Sequence, residues 1–146
     1  METKNLILFY LDIDHFKALN DRVGHSVDAD VLGKFVAVVH DNIRPPDLLF
    51  RIGGEEFCCL LPYTTQPQAE LAAERIRERI ERTTVDIPGS PETVTVSIGV
   101  ASTHCFGYDL DTLMRLADKA VYDAKRQGRN RVVTAQPLAE TIRASG

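Results

Sequence analysis

The run Leu6-Ile7-Leu8-Phe9-Tyr10-Leu11, followed by the acids Asp12 and Asp14, constrains the fold most. A half-buried strand alternates apolar and polar residues, whereas an unbroken apolar run of this length reads as a central strand buried on both faces. Asp12 then stands where that strand emerges from the core. The run is far shorter than the ~20 residues needed to cross a bilayer. No basic region with a cleavage site precedes it, so no signal peptide is expected in this chain.

The rest of the pattern mixes helices and strands. Residues 16–22 suit a short helix stopped at Gly24. From Asp30, the positions Leu32, Phe35, Val36, Val39 and Ile43 fall at helical spacing, and Pro45 and Pro46 are expected to end that helix. Residues 48–52 and 57–61 flank Gly53-Gly54-Glu55-Glu56 and predict a hairpin with a tight turn, both glutamates at its tip. Pro62 and Pro67 bracket a loop, and Ala69, Ala73, Ile76 and Ile80 mark another amphipathic helix. Residues 88–91 read as a loop. Val94, Val96, Ile98 and Val100 alternate with Thr95, Ser97 and Gly99, which predicts a period-two strand. Leu110, Leu113, Met114, Ala117, Ala120, Val121 and Ala124 form a helical stripe closed by Gly128, and residues 131–134 make a last strand. The order β-α-α-β-β-α-β-α-β predicts an α+β fold with helices packed on one sheet. One domain is expected over residues 1–136, with a tail over 137–146, since 146 residues support a single core.

Composition narrows the function classes. The net charge is −4 and no run of Lys and Arg is present, which argues against a nucleic-acid partner. Cys58, Cys59 and Cys105 have no CxxC spacing, so neither a disulfide framework nor a zinc site is expected; the adjacent pair reads as buried thiols in a reducing cytoplasm. No histidine pair has zinc-ligand spacing.

The acids carry the chemistry. If the hairpin lies beside the first strand, Asp12, Glu55 and Glu56 converge at one sheet edge. Clustered carboxylates repel unless a cation joins them, and a hard divalent ion sharing phosphate oxygens is the usual solution. Taken alone, Gly-Gly-Glu-Glu equally suits a solvated turn.

Other segments bear on that choice. Asp12-Ile13-Asp14-His15-Phe16-Lys17 is followed by Asn20-Asp21 and Gly24-His25. Arg51-Ile52-Gly53-Gly54-Glu55-Glu56-Phe57 comes next, then Val96-Ser97-Ile98-Gly99-Val100-Ala101. Ala117-Asp118-Lys119-Ala120-Val121-Tyr122, Ala124-Lys125 and Gly128-Arg129-Asn130 complete the series. In this order and spacing, from about Leu8 to Val133, the chain resembles the GGDEF family of diguanylate cyclase domains in its GGEEF spelling. The resemblance implies a sheet like the palm of nucleotide cyclases, with a central antiparallel hairpin. It implies condensation of two GTP into cyclic di-GMP with release of pyrophosphate. Two Mg²⁺ or Mn²⁺ per GTP would be held by the carboxylates of Asp12 and Glu55 and the carbonyl of Ile13. Glu55, Glu56 and Lys125 would form the catalytic group. The backbone N–H groups of Phe16 and Lys17, opening a helix, would meet phosphates. Lys17, Lys125 and Arg129 would add positive charge, although Lys125 and Arg129 also suit a helix C-terminus for its dipole alone. Asn20 would contact guanine, with His25 in the same nucleotide-facing segment, and Gly53 and Gly54 would let the nucleotide approach closely.

The family acts as a homodimer, each protomer contributing one GTP, usually brought together by a sensor or dimerisation module, which is expected to lie outside these residues. A cytoplasmic bacterial location is implied, with any membrane anchor elsewhere in a parent protein. Arg44-Pro45-Pro46-Asp47, separated from Gly53 by residues 48–52, resembles the family's RxxD product-inhibition site. There Arg44 would clamp a phosphate or guanine edge of cyclic di-GMP, Asp47 would accept from guanine N–H groups, and Arg75 would assist.

Three departures stand out. Ala29 occupies the place of the family's guanine-reading Asp, and losing that acceptor costs about 1–3 kcal/mol of recognition. Asp28 replaces a glycine. The family's opening segment and helix before the first strand are not in this chain. Two further readings follow: a catalytically impaired domain serving as a cyclic di-GMP or GTP receptor, and a cyclase with altered base choice.

Overall fold

The apolar run becomes strand β1 (Leu6–Ile13), which lies at the centre of a five-stranded sheet. The structure is a computed structural model that describes residues 5–24, 28–87 and 91–137. After β1 come α1 (Phe16–Val23), α2 (Asp28–Asp41), β2 (Leu48–Arg51), β3 (Glu56–Pro62) and α3 (Gln66–Arg82). Then follow β4 (Thr84–Val85), β5 (Glu92–Thr93), β6 (Val96–Ser102), α4 (Thr103–Phe106), α5 (Leu110–Arg126) and β7 (Arg131–Thr134). The sheet order is β2-β3-β1-β6-β7. β1 pairs antiparallel with β3 and with β6, while β7 joins β6 in parallel, so the sheet is mixed. This is the expected α+β architecture, with its main elements in the expected order. The β4–β5 ribbon and one-turn α4 are additional; segments of two and four residues are too short to leave a periodic trace.

The pleat of β1 explains its composition. Ile7, Phe9, Leu11 and Ile13 point to one core, shared with Phe35 and Val39 of α2 and Ile76 and Ile80 of α3. Leu8 and Tyr10 point to the other, against Leu113, Ala117 and Val121 of α5. Helices cover both faces, so no position on the strand is left for a polar residue until Asp12.

Several boundaries differ from the sequence pattern, each for a local reason. Helical spacing runs to Ile43, but α2 ends at Asp41, before either proline. Asn42 closes it: its Nδ2 donates to the Val38 carbonyl at 2.7 Å and its backbone N–H to Val39 at 3.0 Å. The buried stripe of α2 is Val31, Phe35 and Val39, with Leu32 and Val36 packed at its margin. Pro67 does not close a loop but lies in the first turn of α3, where a missing N–H costs nothing. Thr65 caps that helix reciprocally with Gln68.

The alternating segment also changes meaning. The strand starts at Val96, beyond Val94, runs to Ser102 and is buried throughout. Its small residues face α5, not water. Ser97 bonds a buried carboxylate, and a Cβ on Gly99 would lie 2.0 Å from the Ala117 carbonyl oxygen. Gly99 therefore sets how closely α5 approaches the sheet. Cys58, Cys59 and Cys105 are all free thiols, and burial pushes the Cys58 thiol up to about 12. Among the described residues no helix is long and apolar enough to cross a membrane.

Candidate active site

Strand register assembles the acids. Asp12 on β1 faces Glu56 on β3, as Tyr10 faces Cys58, so these four share the α5 side of the sheet. The Ile13 N–H donates to the Glu55 carbonyl at 3.1 Å, placing Glu55 beside the end of β1. The three carboxylates expected at one edge are thus brought together. One detail differs: Glu56 opens β3, and only Glu55 belongs to the turn of residues 52–55. The ladder reaches Glu56 because its carbonyl accepts from Ile52 at 2.8 Å and Gly53 at 3.3 Å. Arg51 holds the turn from β2, donating to the Gly53 carbonyl at 2.8 Å and the Gly54 carbonyl at 2.7 Å.

The two turn glycines are not required by the protein's own packing. Neither has positive φ. A Cβ on Gly54 would meet nothing within 4 Å, and one on Gly53 only Glu56 Oε1 at 3.8 Å. The turn is bare on its outer side, as a surface must be if a ligand is to lie against it.

The tight approach of α5 delivers the cation. Lys125 Nζ donates to Asp12 Oδ2 at 2.6 Å. Burial holds the Asp12 carboxyl above its ordinary range, and Lys125 works against that shift. Burial also raises Glu55, helped by the neighbouring charge of Asp12. The same causes act on Asp118 of α5, with Glu56 as the charged neighbour. Tyr10 donates its hydroxyl to Glu56 Oε2 at 2.6 Å. Tyr10 and Asp118 are neighbours of the site that motif spacing does not mark. Their signals are geometric: Tyr10 precedes Asp12 by one pleat, and Asp118 precedes Lys125 by two helical turns.

Asp14 does a different job. It is buried, and its carboxylate accepts from Thr95 Oγ1 and Ser97 Oγ, each at 2.7 Å, and from the Asn130 N–H at 3.0 Å. It ties β6 and the turn after α5 to the end of β1.

The remaining residues surround this edge. The Phe16 ring lies in the core, so only its backbone at the start of α1 faces outward chemistry, while Lys17 is exposed. Asn20 Oδ1 is buried with no hydrogen-bond partner among the described residues. His25 lies outside the described residues. Ala29 is exposed in the first turn of α2. Arg129 follows α5 in a left-handed conformation, with φ 63°.

Among the described residues no three His, Cys, Asp or Glu side chains are arranged to hold a metal by themselves. Asp12 and Glu55 nevertheless form a fitting donor set for a hard cation. Both are partly desolvated oxygen ligands, the charge of Asp12 adds to the proton affinity of Glu55, and Mg²⁺ takes one or two carboxylates when substrate phosphates complete its shell.

A second candidate site lies elsewhere. Arg44, Asp47 and Arg75 line one cavity of about 250 Å³ with Asn42, Tyr63 and Gln68. Arg44 Nε donates to Asp47 Oδ2 at 3.2 Å and its Nη2 to Asp47 Oδ1 at 2.8 Å; Nη2 also reaches the Pro62 carbonyl and Thr64 Oγ1, both at 2.7 Å. The Asp47 side chain is only 1% exposed, so its carboxylate is turned to Arg44 and not to the cavity. Arg75 is fixed by Asn42, donating to its Oδ1 at 3.1 Å and its carbonyl at 3.0 Å.

An acid-lined sheet edge thus lies beneath a bare glycine turn on an α+β sheet. Comparison with known proteins makes this specific. The family model "Diguanylate cyclase, GGDEF domain" matches residues 1–131, and the chain belongs to that family. It is 47% identical over 125 residues to "Probable diguanylate cyclase DgcT" of Escherichia coli (strain K12), covering 84% of this chain and 28% of that protein. The chain therefore spans little more than a quarter of that relative's length. Its fold matches "Structure of the active GGEEF domain of a diguanylate cyclase from Vibrio cholerae" with TM-score 0.84 and 33% identity, over 91% of this chain and 84% of that one. It also matches the GGDEF domain of DgcB from Caulobacter crescentus in complex with c-di-GMP, with TM-score 0.83 and 34% identity, over 90% and 78% of the two chains.

Proposed function

We propose that this chain is the catalytic domain of a diguanylate cyclase that joins two GTP into cyclic di-GMP as a homodimer. The observation that carries this reading is the edge itself: Asp12, Glu55 and Glu56 side by side under the unfilled Gly53-Gly54 turn, with Lys125 at 2.6 Å from Asp12. The carboxylates of Asp12 and Glu55 and the carbonyl of Ile13 would hold Mg²⁺ or Mn²⁺, two per GTP. When bound, such ions lower the pKa of the attacking ribose 3′-hydroxyl and neutralise charge on the triphosphate.

The chain's own residues do the rest. The backbone N–H groups of Phe16 and Lys17 open α1 and receive a phosphate. Lys17, Lys125 and Arg129 add positive charge around it. Glu56, held by Tyr10, keeps a second carboxylate at the reacting edge. Asn20 Oδ1, buried and without a partner among the described residues, suits a guanine N–H donor, because an orphan acceptor costs about 1–3 kcal/mol until it is paired. His25 belongs to the same nucleotide-facing segment. Two such protomers facing each other would bring each 3′-hydroxyl to the other's α-phosphate, replacing an encounter in solution by a fixed geometry. The Arg44–Asp47–Arg75 cavity would take product cyclic di-GMP and inhibit. Arg44 is the group offered to it, with Asp47 acting through Arg44.

The second reading is a cyclic di-GMP or GTP receptor without turnover. Ala29 favours it, since the family's guanine-reading acid is missing there, and the organised Arg44 cavity serves a receptor equally well. The chain, dimerised through a fused coiled coil and supplied with GTP and Mg²⁺, is expected to release pyrophosphate, and Glu55→Ala to release none. Cyclic di-GMP binding that is lost in Arg44→Ala, without pyrophosphate release by the wild type, would overturn the enzyme reading in favour of the receptor.

A further inference from the structure

The turn that carries Arg129 is conformationally unusual. Gly128, Arg129 and Asn130 have φ of 125°, 63° and 49° in succession. Glycine adopts such angles freely and asparagine tolerates them, but arginine does so at a cost, and a run of left-handed residues persists only where neighbours over-determine it.

Such neighbours surround this turn. The Asn130 N–H is held by Asp14 Oδ2 at 3.0 Å. Its carboxamide is engaged at both ends from α3: Arg77 Nη1 donates to Asn130 Oδ1 at 2.9 Å, and Asn130 Nδ2 donates to Glu81 Oε2 at 2.6 Å. The Arg77 side chain is only 14% exposed and is itself fixed, its Nη2 donating to Glu74 Oε2 at 3.1 Å and its Nη1 to Glu81 Oε1 at 3.3 Å. A planar guanidinium held by this many acceptors has one orientation, which an ammonium would not. By contrast, the Arg129 guanidinium takes part in no hydrogen bond or ion pair among the described residues. The network grips the backbone on which Arg129 stands and leaves that side chain uncommitted.

We propose that Arg77 and Asn130 form a clamp from α3 that fixes the left-handed turn and so sets where Arg129 meets the triphosphate. Both are positioning residues for GTP binding. The inference rests on the GTP-binding reading of the site given above. It adds a helix remote from the acid edge to the machinery, and it gives the inward-facing polar group of α3 a purpose beyond helix surface pairing.

The test is calorimetric titration of GTP, with Mg²⁺ present, into wild type, Asn130→Gly, Arg129→Ala and the double variant. Glycine takes φ 49° without strain and keeps the N–H donated to Asp14, so Asn130→Gly removes only the two links to α3. Asn130→Gly is expected to weaken GTP binding about tenfold, the effect of one charge-assisted contact, and Arg129→Ala at least as much. The double variant is expected to bind no more weakly than Arg129→Ala alone, because the clamp acts through Arg129. Arg77→Met should reproduce Asn130→Gly, and Arg77→Lys should fall between it and wild type. Wild-type affinity in Asn130→Gly, or losses that multiply in the double variant, would overturn the clamp. A wild type that binds no GTP overturns the nucleotide reading and the clamp with it, and the wild-type titration alone distinguishes that outcome.

Discussion

Gly99→Ala tests the link between packing and the active edge. The added Cβ would sit 2.0 Å from the Ala117 carbonyl oxygen, 2.9 Å from the Val121 nitrogen and 3.0 Å from the Ala117 carbonyl carbon. All three are helix backbone, so no rotamer relieves the clash. Ordinary contact begins near 3.4 Å, which requires α5 to move outward by about 1.4 Å. That opens the packing of Leu113, Ala117 and Val121 on Leu8, Tyr10 and Cys58. Overpacking a close-packed interior costs about 1–3 kcal/mol, and a backbone clash belongs at the upper end. For a domain of this size the melting temperature should fall by roughly 8–12 °C. The same movement draws Lys125 from Asp12, now 2.6 Å away, towards the limit of about 3.2 Å for an N–H···O bond. Urea unfolding with a pyrophosphate-release assay on the folded fraction reads both effects, and activity should fall further than stability alone explains. An unfolding free energy within about 0.5 kcal/mol of wild type, the range of an innocuous surface change, would refute the claim that Gly99 gauges the approach of α5.

Two further outcomes follow from the sites. Arg44→Ala should abolish cyclic di-GMP binding in the second cavity and also destabilise the fold by about 1–3 kcal/mol, because it strips the guanidinium from the buried Asp47 carboxylate and leaves it only the backbone N–H of residue 44 at 2.8 Å; adding Asp47→Ala should recover part of that loss in urea unfolding while binding stays absent. Glu55 has a folded-state pKa raised by burial and Asp12, so its protonation contributes stability that is fully present below the unfolded carboxylate pKa and is lost as pH rises through the folded value. Without divalent metal, Glu55→Gln should therefore melt higher than wild type near pH 7, with the difference vanishing as the pH is lowered through the carboxylate range; a difference that grows towards acid pH would contradict the sign.

How much of this was legible in the sequence depends on range. β1 and the hairpin are readable because period and turn chemistry are local, and the convergence of Asp12 with Glu55 and Glu56 follows once the hairpin pairs with β1. The contact of Lys125 with Asp12 spans 113 positions and has no local signal; only the family resemblance points to it. Thr95, Ser97 and Gly99 look like a solvent face because small and polar residues serve both water and a closely packed helix. The same ambiguity hides the role of Asp14, whose partners come from β6 and from the turn after α5. The prolines after α2 look like its stop, yet Asn42 ends the helix first by taking the Val38 carbonyl. Arg44 and Asp47 are found by spacing, but that they bind each other depends on the Pro62 and Thr64 acceptors which orient the guanidinium.

The central claim is most directly tested by identifying the product. The chain, dimerised through a fused coiled coil and incubated with GTP and Mg²⁺, should yield a species with the mass of cyclic di-GMP and two pyrophosphates for each one formed. Unchanged GTP, or GDP and phosphate without any cyclic dinucleotide, would contradict the account.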